Sequence, residues 1–468
     1  MEAFANFTSV ANDILYTYIL IGLLSIVGIY FTIKIKFGQV RMLGHMVGLL
    51  KEVNLRPDGS KGISSFQAFC ISAASRIGTG NIAGIAAAIA AGGPGAIFWM
   101  WIIAIVGGAT SFVESTLAQI YKVKDEDGTF RGGPAYYIEQ VLGKRWLGVV
   151  FSIIISITFG FMFNAMQANT IGSAVNNSTG ISHWIIGIVL VILTGLVIFG
   201  GVKRIAEISS KIVPVMAVIY MLVAIFVVIK NIAFVPKMFG LIFSNAFGIR
   251  PVVGGGIGAA ILNGVRRGLF SNEAGMGSVP NAAATADTSH PAKQGFVQSL
   301  GVYLDTILVC SATAFIVLLA GEQVYTNPDL EGIMITQAAL SAHVGAWATG
   351  FLAICILLFS YSSIIGNYYY GESNIEFMGG GKTMLNGYRI LVLIMVYLGC
   401  IGDFSIVWNT GDIFMGIMAI INLVVIILIG RVAIETFYDY KKQMSEGKNP
   451  VFNPKNIKSI NTELDYWK

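Results

Sequence analysis

The chain is built from long apolar runs with hardly a charge inside them, and few architectures can hold so many. A helix of about 20 mainly apolar residues crosses the hydrocarbon core of a bilayer. Eleven such runs follow one another, at about 14–33, 64–90, 93–121, 146–174, 184–200, 210–230, 254–280, 295–320, 345–371, 388–402 and 411–430. Charged residues make up 12% of the 468, where a soluble domain carries about 25%, and the mean hydropathy is +0.73. These values exclude a soluble multidomain enzyme, a disordered chain, a coiled coil and a nucleic-acid binder. The first run has no basic residue before it and no A-x-A site near its end. It is also long for a signal peptide, so it reads as a spanning helix. The chain is therefore expected to be an all-α, multi-pass membrane protein.

The few charges are distributed unevenly. With eleven spans, 24 of the 30 Lys and Arg residues fall on one face, and only Lys230, Lys237 and Arg250 on the other. The positive-inside rule then places the N-terminus outside and the C-terminus in the cytoplasm. Stretch 37–62 is basic and amphipathic and is expected along the inner surface, whereas 233–253, with Pro236 and Pro251, reads as an outer linker. Cys70, Cys310, Cys355 and Cys400 lie in apolar stretches without a C-x-x-C, so they read as small buried side chains. His45, His183, His290 and His343 lie in or beside loops and form no H-E-x-x-H, which gives an intramembrane zinc site little support. The 55 glycines against 11 prolines suit helices packed closely through small residues.

Two of the runs read badly as uniform helices. One contains Ser75-Arg76-Ile77-Gly78-Thr79-Gly80-Asn81-Ile82-Ala83-Gly84-Ile85, the other Arg266-Arg267-Gly268-Leu269-Phe270-Ser271-Asn272-Glu273-Ala274-Gly275-Met276. Aligning Asn81 with Asn272 brings Arg76 over Arg267, and both copies read R-x-x-x-x-N-x-A-G followed by an alanine triplet. Each copy opens a set of five spans. Five is odd, so the sets cross the membrane in opposite directions. Interrupted helices at corresponding places in two inverted halves point to a transporter's binding site. A break frees N–H and carbonyl groups at mid-membrane, which is tolerated only against protein or a polar cavity. The N-terminal end of a half-helix favours a carboxylate, and unwound carbonyls suit a hard cation. For either copy alone, glycine-mediated close packing is the plainer alternative, since Gly80 and Gly84 make a G-x-x-x-G. The paired Arg and Asn favour the site. The expected division is 1–63 for an extra helix and basic segment, 64–232 and 254–432 for the two five-span repeats, 233–253 for a linker and 433–468 for a tail.

With Gly92-Gly93-Pro94-Gly95-Ala96-Ile97-Phe98-Trp99-Met100-Trp101, Ser360-Tyr361-Ser362-Ser363-Ile364-Ile365-Gly366 and Tyr368-Tyr369-Tyr370-Gly371-Glu372, these stretches resemble the alanine or glycine:cation symporter family. That family shares the five-plus-five leucine-transporter fold, which is the standard example of discontinuous helices holding a substrate carboxylate and sodium. The resemblance covers nearly the whole chain. It implies sodium-coupled uptake of alanine or glycine, with Na+ as coupling ion and no organic cofactor. It places the substrate carboxylate beside the backbone of Gly78, Thr79 and Gly80, near Asn81. The amino group would meet oxygens of the second break near Phe270, Ser271 and Asn272. Sodium would take the carbonyls of Ala74 and Ile77 with the hydroxyls of Ser362 and Ser363. The family often has threonine where Ser363 stands, and serine keeps the oxygen.

Other residues carry a functional and a plainer reading side by side. Asn164 and Gln167, at i and i+3, share a face of span four with Phe163 nearby, either lining a pocket or bonding between helices. Glu273 sits at the second break, where it would balance Arg76 or Arg267, receive the substrate amine, take a proton, or simply be hydrogen-bonded; intramembrane acids are costly and usually functional. Glu114 and Asp305 read as packed polar groups, with gate or proton site as the alternative. Arg76, Arg266 and Arg267 read as structural pairs, and Trp99, Trp101 and Tyr368–Tyr370 as packing or interfacial anchors. Phe163, Phe270 and Met276 would bound a small pocket. An intramembrane enzyme lacks its motifs here. Gly381-Lys382-Thr383 ends like a phosphate loop but has Glu376 where glycine is required. A channel would call for repeated pore helices or charge rings. Proton coupling is the alternative closest to the sodium symporter. Since the site lies within one chain, a monomer suffices.

Overall fold

The computed structural model describes residues 2–52, 62–125, 128–248 and 256–467. Arg56, Lys61, Arg250, Pro251 and Lys468, which enter the charge and linker readings above, lie outside the described residues. Among the described residues, eight helices are long and apolar enough to cross a membrane: Phe7–Lys34, Gly95–Ile120, Arg145–Thr179, Arg204–Lys230, Pro291–Ala320, Trp347–Phe377, Lys382–Ile401 and Phe404–Ile429. The shorter apolar helix His183–Ile198 and two helices broken in the middle complete eleven spans, numbered here in chain order. The protein is an all-α membrane protein in which one N-terminal helix precedes two five-span halves.

Span two runs Ser65–Arg76 and resumes after a break, through a π-helical turn at Gly80–Gly84, to Gly92. Its start is set by a capping box: Gln67 N donates to Ser64 Oγ (3.1 Å) and Ser64 N to Gln67 Oε1 (3.0 Å). Span seven runs Gly256–Asn272 and resumes at Val279–Ala284. Between them Glu273, Gly275 and Gly277 take φ of 56°, 88° and 80°, the left-handed region that glycine enters freely and other residues seldom do.

Both breaks foreseen in the sequence exist, but they are not superimposable. The break in span two precedes Asn81, whereas the second break, expected near Phe270, Ser271 and Asn272, opens only after these residues, which the span-seven helix still includes. Gly78 and Gly80 lie before the asparagine in one copy, and Gly275 and Gly277 after it in the other.

Small residues bring the spans together. A Cβ on Gly264 of span seven would lie 2.4 Å from the Ala96 carbonyl oxygen of span three, and one on Gly399 of span ten 2.3 Å from Ala165 Cα of span four. The four cysteines are free and buried, as expected. Tyr368, Tyr369 and Tyr370 are wholly buried, so they pack rather than anchor. The supposed linker is mostly the helix Val235–Ala246, with Pro236 in its first turn, where a missing N–H costs nothing. Trp99 Nε1 donates to its Ala246 carbonyl (3.2 Å). Segment 37–49 forms the short helices Gly38–Arg41 and Leu43–Leu49.

The tail does not trail away. After helix Arg431–Ser445, Phe452 N donates to Ser289 O (2.9 Å) and Trp467 Nε1 to Gln119 O (2.8 Å). The Lys122 ammonium lies 4.1 Å from the Phe130 ring centroid, 4.4 Å from that of Tyr466 and 5.4 Å from that of Trp467. The tail thus ties the end of span three to the connection between spans seven and eight.

Close approach at Gly264 makes a specific demand. Overpacking costs about 1–3 kcal/mol, so Gly264→Ala should lower the melting temperature of the detergent-solubilised protein by several degrees. Gly387→Ala on span ten, where an added Cβ meets nothing within 4 Å, should leave it unchanged or slightly higher.

Candidate functional site

The first break exposes both kinds of backbone group. Gly78 N donates to Asn81 Oδ1 and Thr79 N to Gln167 Oε1, each at 2.9 Å. The Thr79 hydroxyl bonds that of Thr170. Gly78 is obligatory for space: a Cβ there would lie 2.2 Å from Ser363 Oγ and 2.7 Å from Gln167 Oε1. On the carbonyl side, Ser363 Oγ is 2.8 Å from Ala74 O, 3.1 Å from Phe359 O and 3.4 Å from Ile77 O. One hydroxyl hydrogen faces three carbonyl oxygens. The result is a buried, electron-rich cluster, the donor set a hard cation prefers.

Polar side chains join the two breaks. Asn81 Nδ2 donates to Ser271 Oγ (3.0 Å) and to the Asp305 carboxylate, with Cys310 Sγ at 3.3 Å. Ser271 Oγ donates to Asp305 Oδ2 (2.6 Å), and Asn272 Nδ2 to Thr306 Oγ1 (3.2 Å). The Glu273 carboxylate accepts from Ser75 (2.7 Å) and Ser278 (2.6 Å), while Ser75 Oγ also lies 2.6 Å from Asn367 Oδ1. Spans four and eight loosen into π-helical turns at Thr158–Phe163 and Leu304–Cys310, a distortion frequent at functional sites.

Aromatic rings close the space beside these groups. Phe163 and Phe270 meet edge to face at 4.8 Å, and Phe270 lies 5.5 Å from Trp408. A Cβ on Gly80 would sit 2.8 Å from the Phe270 ring. Behind them Arg267 pairs with Asp412 in a nearly water-free setting, with its guanidinium 5.1 Å from the Trp408 ring.

All sixteen residues assigned from the sequence to the substrate and sodium positions are buried, so the protein is closed around them. Ala74, Ile77 and Ser363 converge. The Ser362 hydroxyl instead bonds Phe359 O on its own helix (2.8 Å), with Met216 Sδ at 3.9 Å. Gln167 reaches the first break, whereas Asn164 Nδ2 donates to Gly160 O (3.2 Å) in its own helix and its Oδ1 has no partner. Glu273 has hydroxyl partners, not Arg76 or Arg267. Arg76 donates to Ser72 and Gln298. Met276 is wholly buried just past Glu273. Sequence reasoning missed Asp412, Thr170, Asn367 and Trp408. Asp412 had a signal, being an acid at the start of an apolar run; the others look like ordinary helix residues.

A family model described as the sodium:alanine symporter family matches residues 1–454. The chain is 54% identical over 462 residues to a probable sodium/glutamine symporter, GlnT, of Bacillus subtilis (strain 168), covering 99% of this chain and 96% of that protein. It is also 54% identical to the amino-acid carrier protein AlsT of the same organism, over 98% and 97% of the two chains. Among solved structures, a mutant of the Eremococcus coleocola manganese transporter superposes with a TM-score of 0.53 at 13% identity, covering 83% of this chain and 82% of that one; this likeness shows the fold alone. Fold and family together define a multi-pass, cation-coupled amino-acid transporter. The chain belongs to the sodium:alanine symporter family.

The Arg267–Asp412 pair generates a test. Removing one partner of a buried ion pair costs about 3–5 kcal/mol, because the other charge stays buried. Arg267→Met should therefore destabilise the protein severely in a thermal-shift measurement. Arg267→Met combined with Asp412→Leu should recover most of the loss.

Proposed function

We propose that this chain is a sodium-coupled symporter that imports small neutral amino acids, alanine and glycine, by alternating access. One observation carries the reading. The electron-rich cluster of Ser363, Ala74 and Ile77 and the N–H groups of Gly78 and Thr79 belong to one interrupted turn. A cation on the carbonyl side and a carboxylate on the N–H side would order the same few residues. Whichever binds first lowers the cost for the second, and such coupling is reciprocal. In the closed protein the amide oxygens of Asn81 and Gln167 hold the places of the carboxylate oxygens, and substrate binding exchanges one set for the other. The amino group would meet the opening end of span seven at Phe270, Ser271, Asn272 and Glu273. Phe163, Phe270 and Met276 would enclose the side chain, with Asn164 beside Phe163.

The uneven charge supports an outside N-terminus and a cytoplasmic C-terminus. The repeats would occupy 64–232 and 254–432, flanked by 1–63, 233–253 and 433–468. The site needs one chain and a lipid bilayer, and no nucleic acid or organic cofactor. The likeness to a probable sodium/glutamine symporter supports a second reading, in which glutamine is carried and the ring pair separates to admit the longer side chain.

Purified protein in liposomes would decide between these readings. Labelled alanine should accumulate under an inward sodium gradient and not when potassium replaces sodium at fixed pH and potential. Ser363→Ala should raise the sodium concentration for half-maximal uptake about tenfold, equivalent to about 1.4 kcal/mol. Uptake that follows a proton gradient instead would move coupling to Glu273 or Asp305. Unlabelled glycine should compete strongly and leucine poorly, because an overpacked pocket rejects bulk more harshly than it rejects a missing methyl group. Glutamine outcompeting alanine would establish the second reading, and equal competition by leucine would refute the small pocket.

A further inference from the structure

The open turn of span seven is held from behind by a carboxylate that no substrate or ion would touch. Glu114, wholly buried in span three, accepts Gly275 N on Oε1 and Gly277 N on Oε2, each at 3.1 Å. Asn422 of span eleven donates to Glu114 Oε2 (2.8 Å) and to Gly275 O (3.0 Å). Tyr137, in the short helix Pro134–Leu142, donates to Asn422 Oδ1 and so fixes which way that amide faces. Three donors thus face one carboxylate, and the backbone wraps it as such alternating N–H groups wrap an anion.

Both glycines stand at positive φ, and neither has room for a side chain. A Cβ on Gly275 would lie 2.9 Å from Leu423 Cδ2, and one on Gly277 2.8 Å from Asn422 Cγ. The same turn orients the residues ahead of it: Ala274 N donates to Asn272 Oδ1 (3.0 Å) and Met276 N to Glu273 O (3.2 Å).

We infer that Glu114, with Asn422 and Tyr137, is a positioning residue. It holds the second break in shape so that Ser271, Asn272 and Glu273 present a preformed end to the substrate. The inference rests on the proposed site, but the clamp itself has a readout that needs no substrate. In Glu114→Gln one acceptor oxygen becomes an NH2 group, so at least one of the three donors loses its partner. The first break, with Ser363, Ala74 and Ile77, keeps every contact.

The test combines backbone-amide hydrogen exchange with transport. In Glu114→Gln, exchange over 273–279 should rise tenfold or more while 72–80 stays within twofold of wild type. KM for alanine should rise about tenfold, with kcat and the sodium concentration for half-maximal uptake within threefold. Tyr137→Phe, which leaves the carboxylate in place, should move the same two quantities in the same direction by a smaller factor, about threefold. The double variant should show less than the product of the two effects, as expected for residues acting through one contact. Unchanged exchange over 273–279 in both single variants would overturn the inference. So would raised exchange with an unchanged KM, or a fall in kcat and sodium affinity as large as the change in KM. If wild-type protein takes up no alanine, the proposed substrate fails while the exchange result still decides the clamp.

Discussion

Every backbone N–H and carbonyl inside a bilayer must find a partner within the protein, and an unsatisfied one costs several kcal/mol. An unbroken helix meets this demand by itself; a broken one cannot. Most of what is particular about this fold follows from breaking two helices at mid-membrane and then finding partners for the freed groups. At the first break, side-chain amides take the N–H groups and a serine hydroxyl takes the carbonyls. At the second, a carboxylate takes the N–H groups and an asparagine takes a carbonyl. The two solutions differ in exchangeability. On the proposed function the amides and the hydroxyl yield to a carboxylate and a cation, whereas Glu114 behind the second break keeps its partners.

The same economy governs charge. Among the described residues, Glu114, Glu273 and Asp305 have no basic side chain as hydrogen-bond partner, and each is met by donors from neighbouring spans instead. Arg76 likewise spends its donors on Ser72 and Gln298, in space left by Gly301, where a Cβ would lie 2.6 Å from Nη1. Among the described residues, only Arg267 and Asp412 meet as a direct buried ion pair near the site. Hydrogen bonds from neighbouring spans thus hold Glu114, Glu273 and Asp305 in place without an opposite charge beside them.

The number of spans, the broken pair and their inverted relation were legible because each has a chemical signature in the chain: runs without charge, and glycines grouped around an asparagine. Ala74, Ile77 and Ser363 came from a family resemblance, and the backbone does bring them together. Positions of the breaks were less legible. The motif repeats in register, but the span-two helix opens before its asparagine without positive φ, whereas the span-seven helix opens after its asparagine through positive φ at Glu273, Gly275 and Gly277. Long-range partners were not legible at all. Nothing near Asp412 in the sequence names Arg267, and nothing near Glu114 names Gly275, since those contacts exist only once spans far apart in the chain have packed. Ser362 and Ser363 look interchangeable in the sequence, yet helical rotation sends only one of them to the break.

The tail has a practical meaning of its own. Trp467 is held between Phe452 and Tyr466, with ring centroids 5.1 and 4.9 Å away, and stands over the Lys122 ammonium. Indole emission responds to nearby charge and to water. Any rearrangement that parts the connection between spans seven and eight from the end of span three must disturb that stack. The chain therefore carries, at Trp467, an optical reporter of its own movements.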